Sequence, residues 1–149
     1  MEIIYRKATV KDVKEIEFLF TQMLFTIYKK PEIKGYEKGC LDRFFSGLQD
    51  CIFVAELNGS VIGYISINAN NDTKQYLYID DFCVDKNFRN KGIGTKLLNM
   101  VENYAKEIGI NDICLHVEKT NTLAKNLYYK NGFNIYSEQG SRILMNKIL

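Results

Sequence analysis

QYLYIDDFCVDKNFRNKGIGTKLL, residues 75–98, joins an apolar run ending at Val84 to two glycines two apart, then to apolar residues at helical spacing. A strand, a glycine turn and a helix are expected from that order. Such a turn leaves the first helical N–H groups without intrahelical acceptors and sets the positive end of the helix dipole beside them, so an anion is a natural occupant. Gly92 and Gly94 remove side chains that would hold a phosphate off the backbone, and Arg89, Lys91 and Lys96 add positive charge. A pyrophosphate fits. The same glycines could equally serve turn conformation alone, and the lysines solubility. Two other phosphate loops are excluded by their letters. A P-loop needs Gly-Lys-Ser/Thr, but Gly94 is followed by Thr95 and then Lys96; a dinucleotide fingerprint needs a third glycine where Leu97 stands.

Upstream, Glu2–Lys7 has strand composition, and Thr9 with Asp12 three residues later has the spacing of a helix N-cap. Val13, Ile16, Phe18, Leu19, Met23 and Leu24 then recur at helical spacing, Pro31 and Gly35 interrupt, and a second helix is expected near Tyr36–Leu48. CIFVAEL and SVIGYISI flank Asn58-Gly59, a strong signal for a two-residue hairpin. Downstream, the helix runs from Gly92 to about Ile108. DICLHVE reads as a strand, TNTLAKNLYYKNGF as a short helix, and the tail around Gly140 as a last hairpin. The expected order is β-α-α-β-β-β-α-β-α-β-β. It describes an α/β fold of the α+β kind, a mixed sheet with helices on its faces.

The 149 residues carry 20 Lys and Arg against 18 Asp and Glu, interspersed, so no basic stripe points to nucleic acid or an anionic membrane. One domain, 1–149, is expected from the length. Cys40, Cys51, Cys83 and Cys114 show no CxxC pair and lie in or beside apolar segments, so they read as small hydrophobes rather than disulfides or metal ligands. With no signal-like N-terminus and no membrane-length apolar run, a cytoplasmic protein is expected, with no metal.

Arg89-Asn90-Lys91-Gly92-Ile93-Gly94 resembles the Arg/Gln-x-x-Gly-x-Gly/Ala signature of the GNAT superfamily of N-acyltransferases. Asn121-x-x-Ala124-x-x-Leu127-Tyr128-x-Lys130-x-Gly132-Phe133 resembles the later motif of the same superfamily, at about the expected distance. The resemblance extends over essentially the whole chain. It implies a GNAT-like fold with a mostly antiparallel central sheet, acetyl-CoA as co-substrate, and N-acetyl transfer to an amine acceptor. It further implies that the backbone of Phe82, Cys83 and Val84 pairs with the pantetheine arm, that the amides of Arg89, Asn90, Lys91, Gly92, Ile93, Gly94 and Thr95 cradle the pyrophosphate, and that Asn121 touches the cofactor.

Acetyl transfer to an amine needs a deprotonated nucleophile, a polarised thioester carbonyl and a proton for the departing thiolate. By resemblance, Tyr128 occupies the position of the general acid. Asp81 lies where relatives carry an acid facing the acceptor, as base through water or as anchor for an ammonium. Asp80 points to the other face of a regular strand, and a bulge between the two acids would exchange their faces. His116, the lone histidine, has an intrinsic pKa suited to proton transfer and shares a face with Glu118, though a strand histidine can equally be structural. Cys83, with no visible triad, argues against a covalent acetyl-enzyme and for direct attack in a ternary complex. A small-molecule primary amine is the expected acceptor, although no motif names one. A non-catalytic acyl-CoA sensor is the alternative. The last hairpin offers an exposed edge, and with the resemblance it suggests a homodimer.

Overall fold

The structure, a computed structural model, describes residues 2–29 and 35–149. Strands β1 (Ile4–Lys7), β2 (Cys51–Leu57), β3 (Ser60–Asn70), β4 (Tyr76–Val84), β5 (Asp112–Glu118), β6 (Asn134–Gln139) and β7 (Arg142–Ile148) form one sheet in the order β1-β2-β3-β4-β5-β7-β6. Helices α1 (Val13–Tyr28), α2 (Ile93–Glu107) and α3 (Thr122–Lys130) flank it. All neighbours are antiparallel except β4 and β5, which run parallel because α2 carries the chain across between them. The sheet is thus mixed and mostly antiparallel, as expected. The β2–β3 hairpin turns on Asn58 and Gly59 at φ 51° and 83°, the left-handed pair that matches strand twist.

The second helix expected over Tyr36–Leu48 does not form. Its only helical residues are a 3-10 turn, Asp42–Phe45. Leu41 and Phe44 from this stretch are buried against the α1 side of the sheet, with Tyr36 and Phe45 partly buried there. Two or three apolar anchors can pin a loop, but they do not supply the repeated stripe that holds a helix of several turns. Pro31, the expected break, lies outside the described residues.

The sheet buries both faces. On one side α2 and α3 cover Ile65, Ile67, Leu77, Ile79, Ile113 and Leu115, with Leu97, Val101 and Tyr128 packed among them. On the other, Ile16 and Leu19 of α1 cover Ile52, Val54, Tyr64 and Cys83. Phe18, expected in the buried stripe, is 66% exposed, because it sits two residues, about 200°, around the helix from Ile16. Among the described residues no helix is long and apolar enough to cross a membrane.

A polar cluster ties the start of the chain to the sheet. Arg6 donates from Nη1 to Asp12 Oδ2 at 2.8 Å, and from Nη2 to Asp12 Oδ1 at 2.9 Å and Glu56 Oε1 at 2.8 Å. Asp12 Oδ2 also accepts the Thr9 N–H at 2.8 Å, as the capping box expected from Thr9 and Asp12 requires. Hydrogen bonding from Arg6 is the main reason the Asp12 carboxyl lies below the usual carboxylate range, with burial opposing it. A carboxyl depressed in the fold adds stability above its unfolded titration range and loses it as pH falls through its folded one. Arg6→Ala is therefore expected to cost about 2 kcal/mol in urea unfolding at pH 7 and to flatten the acid-side loss of stability. Unfolding curves superimposable on the wild type at pH 7 and pH 3 would refute this role.

Candidate active site

β4 is paired on one side along its whole length and on the other only at its start. Against β3 the register runs from Tyr76↔Asn70 to Val84↔Gly63. Against β5 it covers only Leu77↔Ile113, Tyr78↔Cys114 and Ile79↔Leu115. From Asp80 to Val84 the β5-facing edge has no strand partner, and His116–Glu118 continue along β7 instead. A bulge marks the point of divergence: Ser66 pairs with Asp81 and Ile67 with Ile79, which leaves Asp80 as the extra residue. Alternation reverses there. Leu77 and Ile79 face α2, as do Phe82 and Val84 beyond the bulge, while Cys83 faces α1.

The glycine turn closes over this open end. Asn90 and Gly92 take φ 62° and 78°. The first helical bond is Lys96 N–H to Gly92 O at 3.1 Å, so the N–H groups of Ile93, Gly94 and Thr95 have no acceptor within α2. A Cβ built on Gly92 meets nothing within 4 Å, which leaves open space over the turn. Gly94 has a different reason for being glycine. Its Cβ would press on Phe82 Cζ and Leu127 Cδ2, both at 3.3 Å, so it permits close packing of α2 on β4 and α3. Of the three cations expected near the anion, Lys91 is exposed, Arg89 reaches back with Nε 3.4 Å from Val84 O, and Lys96 lies over the Tyr5 ring at 5.4 Å.

From α3, Tyr128 packs beside Phe82. Its ring centroid lies 6.3 Å from that of Phe82 and 5.9 Å from that of Phe133, and the residue is 8% exposed. Burial raises its phenol, with Cys83 a smaller cause and no hydrogen bond contributing. Asn121 caps α3, its Oδ1 accepting the Ala124 N–H at 3.2 Å. Tyr129, two-fifths exposed or more, points away.

From the α1 side comes a carboxylate. Asp81 Oδ2 accepts the Tyr36 hydroxyl at 2.5 Å, Tyr36 and Tyr64 share a hydrogen bond at 2.9 Å, and the Asp81 N–H donates to Ser66 Oγ at 3.0 Å. Burial pushes the Asp81 carboxyl up and Asp80 adds to this, whereas Tyr36 and Arg43 oppose it. Asp80 pairs with Arg43 at 2.9 Å on the surface. His116 is held at both ring nitrogens, Nδ1 by Tyr78 Oη at 2.7 Å and Nε2 by Gln139 Oε1 at 2.8 Å. Cys83 is buried 3.2 Å from Met23 Sδ, and burial pushes its thiol up to about 12, so it offers no thiolate near neutrality. Among the described residues no cluster of His, Cys, Asp and Glu could hold a metal.

Asp81, Phe82, Cys83 and Val84 share the part of β4 that has no β5 partner, the turn from Arg89 to Thr95 follows that end of the strand, Tyr128 packs beside Phe82 on the α2 side, Asp81 meets Tyr36 on the α1 side, and His116 is bonded to Tyr78 and Gln139. Sequence reasoning missed Tyr36, Tyr64 and Ser66. Tyr36 follows a stretch without periodicity, and Tyr64 and Ser66 sit inside an apolar run, where nothing local marks them. A cleft lined by Lys14, Phe18, Leu57, Asn58 and Phe88 lies elsewhere, between α1 and the β2–β3 hairpin.

Residues 21–133 match the model of the acetyltransferase (GNAT) family. An uncharacterized N-acetyltransferase of Methanocaldococcus jannaschii is 35% identical over 134 residues, covering 88% of this chain and 78% of that one. Streptothricin acetyltransferase A of Bacillus subtilis is 32% identical over 109 residues, covering 72% of this chain and 62% of that one. The PaiA N-acetyltransferase of Thermoplasma acidophilum, solved in complex with coenzyme A, superposes with a TM-score of 0.83 at 21% identity over the full length of both chains, a likeness of fold.

Inorganic pyrophosphate titrated into the 15N-labelled protein is expected to shift the amide signals of residues 89–95 before others. Gly92→Ala, which places a side chain in the open space at a strained φ, is expected to weaken that binding about tenfold. Shifts scattered over the surface, or an unchanged affinity in the variant, would remove the anion site from this turn.

Proposed function

The chain belongs to the GNAT family of acetyltransferases, and from that premise we propose that it transfers an acetyl group to the primary amine of a small molecule by direct attack in a ternary complex. It is an N-acetyltransferase, and acetyl-CoA is its co-substrate. The observation that carries the finer reading is the gap itself. It begins where β4 loses β5 after Ile79, with Tyr128 beside Phe82 on one face of the sheet and Asp81 bonded to Tyr36 on the other, and in our reading the two groups serve one acceptor site.

The residues present fit acetyl-CoA. The unpartnered edge of Phe82, Cys83 and Val84 offers N–H and C=O groups to an extended amide-bearing chain, as an added strand would take them. The free N–H groups of the α2 turn and the open space at Gly92 suit a pyrophosphate. With its oxygen engaged in capping, Asn121 presents its Nδ2 to the pantetheine portion. When bound, acetyl-CoA supplies the activated thioester.

Asp81 anchors the acceptor ammonium and takes one proton from it, which frees the nitrogen lone pair for attack; the second proton of the nitrogen passes to water as the N–C bond forms. Tyr128, held protonated by its burial, gives its proton to the sulfur as the C–S bond breaks and regains one from water. His116, committed at both ring nitrogens, shapes the acceptor wall and stands second to Asp81 as base. The Asp81 carboxylate favours a cationic acceptor, and the relative named as a streptothricin acetyltransferase supports a small molecule. Residues 1–149 work as one domain in the cytoplasm, in keeping with unpaired thiols at all four cysteines. The free edge of β6, with Ile135 and Tyr136 exposed, serves a homodimer.

Release of free coenzyme from acetyl-CoA, followed against pools of alkylamines, amino acids, polyamines, aminoglycosides and short peptides, tests the acceptor class. Release confined to the peptides would overturn the small-molecule reading. With the active pool, Tyr128→Phe is expected to lower kcat about 100-fold while calorimetric affinity for acetyl-CoA stays within about threefold. Undiminished kcat would refute Tyr128 as the acid.

A further inference from the structure

We propose that Tyr36 is a positioning residue for the acceptor carboxylate: its hydroxyl, bonded to Asp81 Oδ2 and backed by Tyr64, fixes the carboxylate so that Oδ1 faces the acceptor. This rests on the reading of Asp81 given above. The directions of the bonds follow from proton counts. An ionised carboxylate only accepts and each phenol has one proton, so Tyr36 donates to Asp81 and must itself accept from Tyr64. The result is a chain, Tyr64 to Tyr36 to Asp81, in which each bond polarises the next. At 2.5 Å the last link has the length of a charge-assisted bond from a hydroxyl to a carboxylate.

Both phenols are fixed before they reach the carboxylate. The Tyr36 ring stacks on Phe20 of α1 with centroids 3.9 Å apart and planes 14° from parallel. Tyr64 lies fully buried on β3. Ser66 holds the Asp81 backbone N–H from the same strand. Phenylalanine at both positions would fill the space without the cost of burying two hydroxyls, so the hydroxyls are there for the carboxylate. The charged and titratable groups around Asp81 are Tyr36 from the segment after α1, Tyr64 from β3, Tyr78, Asp80 and Cys83 from β4, and Arg43 from the turn that follows Leu41. Burial and Asp80 favour the neutral acid. Tyr36 donates a hydrogen bond that favours the ionised form, and Arg43 assists from the surface.

Loss of the Tyr36 hydroxyl therefore raises the Asp81 titration. In the whole chain labelled with 13C at aspartate carboxyls, Tyr36→Phe is expected to move the Asp81 midpoint up by about one pH unit, and Tyr64→Phe, one bond further away, by less in the same direction. Tyr36→Phe keeps the stacked ring. Should it fail to fold, Tyr64→Phe still tests the relay. In coenzyme release with the same amine pools, the acid limb of kcat/KM is expected to follow the titration upward in Tyr36→Phe, with acetyl-CoA affinity unchanged. Asp81→Asn is expected to lose most of the release and to gain nothing further from Tyr36→Phe. An Asp81 midpoint unmoved in both tyrosine variants would overturn the positioning role. Full release by Asp81→Asn would instead overturn the acceptor-carboxylate reading and, with it, the use made of Tyr36, whatever the titration shows.

Discussion

After Ile79, β4 keeps one neighbour and loses the other, and the rest of the site depends on that one-sided pairing. A strand with β3 on one edge is held rigidly in the sheet, yet its second edge carries backbone groups that need partners. In a closed sheet β5 would take them. Here β5 turns to β7, and in the proposed reading the unpaired groups take an extended, amide-bearing chain of the kind that acetyl-CoA supplies. In the proposed mechanism a phenol packed with the α2–α3 core and a carboxylate from the α1 side serve one reaction at this divergence.

The bulge at Asp80 sets the side of the sheet on which the carboxylate lies. Without the extra residue, Asp81 would share the face of Ile79 against α2, where an acid has no polar partner. With it, Asp81 meets Tyr36, Tyr64 and Ser66, while Phe82 and Val84 return to the apolar side against Gly94 and Leu127. The single inserted residue therefore places the carboxylate on the α1 side of the sheet and still leaves the glycine turn seated over the strand end. The energetic cost is a buried, partly uncompensated charge, which the tyrosine chain and Arg43 offset.

Most of this architecture was legible in the letters, and the failures have physical causes. The glycine turn, the Asn58-Gly59 hairpin and the apolar stripe of α2 are local signals, fixed by backbone geometry and short-range spacing, and each formed where expected. The adjacent acids announced a break in alternation, although only the pairing with β3 shows that Asp80 is the residue squeezed out. The segment 36–48 misled because a few apolar anchors resemble a helix stripe, whereas here they pin a loop to a core already built by α1. At Gly94 the letters suggest clearance for a phosphate, whereas the missing side chain faces Phe82 and Leu127. Tyr36 reached Asp81 across 45 residues of sequence, a contact that no local pattern encodes.

Hydrogen exchange of the whole protein, with and without acetyl-CoA, reads the one-sided strand directly. Acetyl-CoA is expected to slow exchange in two stretches at once, residues 80–84 on the open edge of β4 and residues 89–95 in the turn, while the two-sided strands β2 and β3 change little. Protection concentrated instead around Lys14, Phe18, Leu57 and Phe88, with the β4 edge exchanging as before, would place the coenzyme in the cleft beside α1 and contradict the account.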